Sequence, residues 1–415
     1  MGSPGPSYFE VPTDILRESV DDKLVLEDWM IEKKPYNIFP SSIDIDKAIN
    51  TIRNSKKPLI ITGRGALKGG QQILKFINKF NIPYLDTQDS RGLIAQSNSN
   101  NIFAARSKAM SEADLVILLG RKLDYQLAFG SPAVFKEAKF IRISESALEL
   151  TDNRRGFPEI LSDPGVAIEL IHNKLNKSNF DETWINDIKN FHLEKIKKTL
   201  YKKVKKIGDD NKINPNLIFE KLKNIIDDDF VGIADGGDIL SFARVGLHSK
   251  YYMDSGTFGC LGVGIPYAIA ASKVFEEKKI ICVTGDGSFG FNAMEIDTAV
   301  KNNSNICVII SNNGGWNIEK HDQRLNYGNR VYATSLAHSD YAALAKSLGA
   351  YGIRVEDPEK LEQALSVALN NTPSVVDIIT SSTILSSDAI KGLGFVPKYQ
   401  ALDVWDDMEI EFRKK

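Results

Sequence analysis

Gly285-Asp286-Gly287-Ser288 stands directly after an apolar run ending at Thr284, and Asn312-Asn313 directly after another ending at Ser311. Asp286 and Asn313 lie 27 positions apart. A carboxylate and an amide oxygen delivered together suit a hard cation such as Mg2+, which takes oxygen ligands in octahedral geometry and commonly shares them with phosphates. The flanking glycines let the backbone come close, and a helix beginning at about Asn292 would aim N–H groups at an anion. A diphosphate bridged by Mg2+ is the economical chemistry for this set. A sheet-edge turn is the bland reading of a lone GDG, but two such groups after two strands can face one site.

The elements that must position these residues are legible around them. Runs at 230–234, 280–284, 306–311 and 374–379 are apolar or β-branched, as parallel strands buried on both faces should be. Helical patterns at 294–302, 341–348 and 358–369 fill the gaps, and Asn214-Pro215 forms an N-cap and N1 pair for a helix to about Ile226. Ligands of such sheets sit at the carboxyl ends of the strands. An earlier stretch has the same alternation: strands at 58–62, 82–85, 114–120 and 139–144, with an amphipathic helix at 71–80. The expected fold class is therefore α/β, with two doubly wound parallel-sheet domains: a Rossmann-like central domain at 41–175 and a second domain at 214–383. Residues 176–213 read as a basic linker helix, 1–40 as a leading segment, and 384–415 as a C-terminal arm or lid.

Composition narrows the classes. With 415 residues, 26% charged and 42% apolar, the chain can bury two or three cores. Its net charge of −2 leaves no global field to gather nucleic acid or acidic lipid, so any phosphate must be held locally. The lysines of 195–206 surround Ile196, Leu200 and Val204, spaced four apart; this is a wet helix face, with no aromatic or glycine pattern of a nucleic-acid binder. Cys260, Cys282 and Cys307 are too few for a disulfide framework and lack metal-pair spacing. No membrane span or secretory leader is indicated, and a cytoplasmic setting is the default. None of the five histidines has ligand spacing; His321, just after Asn312-Asn313, reads best as a solvated loop residue.

The motifs in this order resemble the thiamine diphosphate (ThDP) enzymes of the pyruvate oxidase and acetolactate synthase superfamily. The resemblance implies ThDP and Mg2+ as cofactors, with Asp286 and Asn313 as side-chain metal ligands and Gly315 as a backbone-carbonyl ligand. It implies that Gly236, Gly237 and Asp238, after the first strand of the second domain, hold diphosphate together with Gly285, Gly287 and Ser288. It further makes Gly259, Cys260 and Leu261 the loop beneath the cofactor, with Leu261 as an apolar wedge and the Gly259 carbonyl an acceptor for the aminopyrimidine. The string Gly256 to Gly264 could pass for a dinucleotide fingerprint, but no acidic residue ends a strand ~20 residues on. Ala104-Ala105-Arg106-Ser107 and the tail around Trp405 look more like the subgroup acting on CoA thioesters, 2-hydroxyacyl-CoA lyase and oxalyl-CoA decarboxylase. Arg106 becomes a candidate for CoA or ADP phosphates, a surface arginine being the alternative.

The resemblance covers the last two of the family's three domains. Residues 5–16 look like the end of the pyrimidine-binding domain, whose glutamate activates the cofactor in the family. Neither Glu10 nor Asp14 can be nominated as a substitute. A separate pyrimidine-domain subunit, in a homo- or hetero-oligomer, is the favoured expectation over a truncation. The implied activity is a Mg-ThDP carbon–carbon lyase or carboligase acting on an acyl-CoA or 2-oxo acid. The alternatives are an acetolactate-synthase-type large subunit acting on pyruvate and a non-catalytic cofactor-binding assembly protein.

Overall fold

The computed structural model describes residues 6–25, 37–200, 205–386, 389–391, 407–408, 410–412 and 414. Two wholly parallel sheets form the frame. The first has five strands: β1 (Pro58–Thr62), β2 (Tyr84–Leu85), β3 (Leu115–Leu119), β4 (Lys139–Ser144) and β5 (Glu159–Leu161), in spatial order 2-1-3-4-5. β1 and β3 are buried at every position, which is why their sequences carry no alternation. Their two faces feed two clusters, one containing Ile60, Ile117 and Phe76, the other Ile61, Leu118 and Phe135. Helix Glu182–Leu200, whose basic segment stood apart as a linker in sequence, buries Trp184, Ile185 and Ile188 in the second of these clusters. Lys195 and Lys197 on the same helix are exposed. Val204 lies outside the described residues.

The second sheet has six strands: β6 (Val231–Ala234), β7 (Tyr251–Met253), β8 (Ile280–Gly285), β9 (Ile306–Asn312), β10 (Tyr351–Val355) and β11 (Ser374–Ile379), in spatial order 10-11-9-8-6-7. The chain order reverses between β8 and β6, so helices cover both faces and a crevice opens at the carboxyl ends there. Helix Pro215–Ile225 starts at Asn214, whose side chain accepts the N–H of Asn216 at 2.9 Å. Both sheets are the expected parallel α/β frame.

Strands β5, β7 and β10 were not legible beforehand. β5 and β7 have three residues each, and the half-exposed edge strand β10 carries Arg354 amid apolar neighbours. A second difference concerns the helix expected at about Asn292. The chain turns helical at once after β8, over Asp286–Phe291, breaks at Asn292, and resumes over Glu295–Lys301. An acidic residue in the first turn favours helix at that point, against the poor propensity of Gly287 and Gly290. Of the leading segment, the described part is open to solvent, with Tyr8 88% and Phe9 86% exposed. The tail motif at 392–406 lies outside the described residues.

Candidate functional site

β8 and β9 pair in register with Gly285 opposite Ser311, so Asp286 and Asn313 leave adjacent strand tips side by side. The Asp286 carboxylate is 2% exposed, and its Oδ2 accepts the N–H groups of Gly314 at 2.9 Å and Gly315 at 3.1 Å. Asn313 Oδ1 also accepts from Gly315, at 3.1 Å. Burial pushes the Asp286 carboxyl up to about 6, although amide donors pull the other way. The hydrogen bonds to this carboxylate come from neutral amides, with the Lys320 ammonium beside Gly315 as the nearby positive charge, and a divalent ion would add charge directly.

Asp286 and Asn313 line one pocket together with Gly236, Gly237, Asp238, Leu261, Gly285, Gly287, Ser288 and Gly315. Of the cofactor residues proposed from sequence, Gly259 and Cys260 do not line it; both are exposed, in the two positions just before Leu261. Beside Ile239 and Ser311, the residues Trp316, Asn317, Ile318 and Glu319 complete the wall and were not anticipated. Their position directly after Gly315, opening helix Asn317–Asn326, was the available signal.

The pocket is narrow and carries acceptors without partners. Gly236 has φ +115°, and Cβ atoms at Gly237 and Gly287 would come within 2.9 Å of Ile318 and 2.6 Å of the Trp316 ring. Side chains here would close the cavity. Asn317 Nδ2 donates to Asp238 Oδ2 at 2.9 Å, while the remaining oxygens, Asp238 Oδ1 and Asn317 Oδ1, are buried with no protein partner. Unpaired buried acceptors are costly. A cation, or the donors of a bound group, would satisfy them, so these residues fit a metal-bridged diphosphate.

Two buried carboxylates support the pocket from behind. Asp235, 1% exposed at the end of β6, accepts from Gly262 N at 3.2 Å and Gly264 N at 2.9 Å, and so anchors the loop that carries Leu261. Asp377 on β11 accepts from Asn312 Nδ2 at 3.0 Å, and Asn312 Oδ1 faces His338 Nδ1 at 3.1 Å. Asn312 therefore braces the tip from which Asn313 projects. Burial pushes the carboxyls of Asp235 and Asp377 upward.

Other residues singled out in the sequence lie elsewhere. Arg106 opens helix Arg106–Glu112 in the first domain and donates to the Gln126 carbonyl at 2.9 Å. Burial, then the neighbouring Arg121 and Arg91, push its guanidinium down to about 10. It does not line the pocket. His321 is not a solvated loop residue: it sits on helix Asn317–Asn326, 7% exposed, with Nε2 3.2 Å from the Ser382 carbonyl. The amphipathic period of that helix turns it inward. Among the described residues there is no cluster of three His, Cys, Asp or Glu side chains that could hold a metal, and no helix is long and apolar enough to cross a membrane.

The molecule is thus two parallel α/β domains, the second with a glycine-lined pocket at the carboxyl ends of its strands, where the strand order reverses. Residues 45–171 match the central domain of thiamine pyrophosphate enzymes, and residues 238–378 match their C-terminal TPP binding domain. The chain belongs to the thiamine pyrophosphate enzyme family. It is 28% identical over 403 residues to 2-hydroxyacyl-CoA lyase from Arabidopsis thaliana, an alignment covering 91% of this chain and 70% of the relative. It is 25% identical to oxalyl-CoA decarboxylase from Escherichia coli, covering 91% and 68%. An acetolactate synthase large subunit from Mycobacterium tuberculosis is 28% identical, covering 83% and 63%.

Proposed function

We propose that this chain is a subunit of a Mg2+- and ThDP-dependent carbon–carbon lyase, most like 2-hydroxyacyl-CoA lyase, which splits a 2-hydroxyacyl-CoA into an aldehyde or ketone and formyl-CoA. The observation that carries it is the side-by-side placement of Asp286 and Asn313 over a glycine-lined pocket with orphaned acceptors. Asp286, Asn313 and the Gly315 carbonyl hold the metal. Gly236, Gly237, Asp238, Gly285, Gly287 and Ser288 form the diphosphate wall, and Leu261, Cys260 and Gly259 underlie the organic part. ThDP, when bound, supplies the electron sink for breaking a bond beside a carbonyl. The protein's residues fix where that sink sits and keep water from the diphosphate.

Among the described residues nothing covers the outer side of the loop bearing Leu261: Phe258 is 92% exposed, and a Cβ at Gly259 would meet nothing within 4 Å. That open face supports a pyrimidine-binding domain, on a partner chain within an oligomer, closing over the cofactor and bringing the activating glutamate. Arg106 is the candidate for phosphates of the CoA moiety, approached from the first domain. The three free cysteines fit a reducing cytoplasm. The test is to supply Mg2+, ThDP, a pyrimidine-domain protein and a 2-hydroxyacyl-CoA, and to follow formyl-CoA. Formyl-CoA formation supports the lyase; cofactor binding without turnover in the complete mixture favours an assembly role. The second reading, an acetolactate-synthase-type subunit, is favoured by the mycobacterial relative and predicts acetolactate from pyruvate instead.

A further inference from the structure

The loop beneath the proposed cofactor position is tethered at both ends by carboxylates of its own domain, and one of these carboxylates is also held from the other domain. At the far end Asp235 holds Gly262 and Gly264. At the near end Asp254, with its side chain 7% exposed, accepts the N–H of Gly256 at 2.9 Å and thereby shapes the turn into the loop. The cation opposite Asp254 comes from the other domain: Arg91 Nη1 lies 3.4 Å from Asp254 Oδ2. Arg244 approaches the same oxygen at 3.5 Å from within the second domain.

Arg91 sits in a turn built for this contact. Its guanidinium lies 5.4 Å from the ring centroid of Tyr252 on β7. Gly92, at φ +81°, brings its backbone so close to β7 that a Cβ would stand 3.2 Å from Tyr252 N. Gly92 N is held in turn by Asp86 Oδ2 at 3.3 Å, at the end of β2. On the other side a Cβ at Gly256 would meet Asp89 Oδ1 at 2.8 Å. The turn thus seats itself on the start of the cofactor loop, whose residues 258–260 are exposed.

We infer that Arg91 is a positioning residue of the cofactor loop: from the central domain it holds, through Asp254, the segment that presents Leu261 to the cofactor. This rests on the reading that Leu261 underlies the organic part of ThDP. A nearly buried carboxylate needs its counter-charges to stay where it is. With Arg91 gone, Arg244 still neutralises Asp254, but the turn is released from the first domain and the loop loses its fixed height. The metal and diphosphate residues, carried by the tips of β6, β8 and β9, do not depend on this contact.

The experiment compares affinities of the full chain for Mg-ThDP and for Mg-pyrophosphate by calorimetry, with hydrogen exchange at residues 256–262 of the ligand-free chain. In Arg91→Met the Mg-ThDP affinity falls about tenfold while Mg-pyrophosphate affinity stays at the wild-type value. Exchange at the Gly256 amide accelerates. Arg91→Lys recovers most of both effects, and Asp254→Asn reproduces them in a second background. Unchanged exchange and an unchanged ratio of the two affinities overturn the inference, as does parallel loss of both ligands with general unfolding in all three variants. Failure of the wild-type chain to bind Mg-pyrophosphate removes the proposed function instead, and the exchange comparison still decides the tether.

Discussion

Asp235 and Gly264 are 29 residues apart in the chain, yet the Asp235 carboxylate accepts the Gly264 N–H at 2.9 Å, and a Cβ on Gly264 would lie 2.9 Å from that of Asp235. Strand β6 and the start of helix Gly264–Val274 are locked together by this contact. Asp235→Ala leaves two buried N–H groups without acceptors, at a cost of about 2–4 kcal/mol. Urea unfolding should show a lowered midpoint with the slope kept; a midpoint equal to wild type would mean that water replaces the carboxylate.

Asp286→Asn removes the charge proposed to face the metal while keeping an oxygen for the Gly314 and Gly315 amides. Magnesium-dependent retention of pyrophosphate should weaken by at least about 100-fold. Thermal stability should hold or rise, since a desolvated charge is lost. Retention at the wild-type level in equilibrium dialysis would remove Asp286 from the metal site.

Trp316 lines the pocket, and its ring would touch a Cβ at Gly287 at 2.6 Å. Its fluorescence should change on titration with Mg-ThDP. Trp316→Phe should abolish that signal while calorimetry still records binding; a signal persisting in the variant would place the ligand near another tryptophan. Gly287→Ala should weaken binding, because the new methyl displaces the indole into the cavity.

His192 is 6% exposed, accepts the Ala104 N–H at 3.2 Å on Nδ1, and stacks edge-on with Phe103. Burial pushes it down to about 4 from the ordinary 6.5. The folded protein keeps it neutral while the unfolded chain takes up a proton, so its stability contribution is full above 6.5 and is lost as pH falls toward 4. His192→Gln keeps an acceptor but does not titrate. The drop in urea midpoint between pH 7 and pH 5 should be smaller in the variant than in wild type; equal drops would mean that His192 is protonated in place.

Both parallel sheets and most of the residues that meet at the pocket were legible from local patterns. Strands buried on both faces must be continuously apolar, and a strand tip that hands a carboxylate or amide to a ligand needs glycines beside it, so β8, β9, Asp286 and Asn313 announce themselves. Short strands such as β5 and β7 carry too few residues to show a period, and Trp316 and Asn317 have no signature apart from the wall they join. What only the tertiary structure decided are the contacts between residues distant in the chain: Asp235 with Gly264, Asn312 with Asp377, and Arg91 of one domain against Asp254 of the other. Their physical reason is closure of the chain in space, where a buried carboxylate takes whichever donors the packing brings to it.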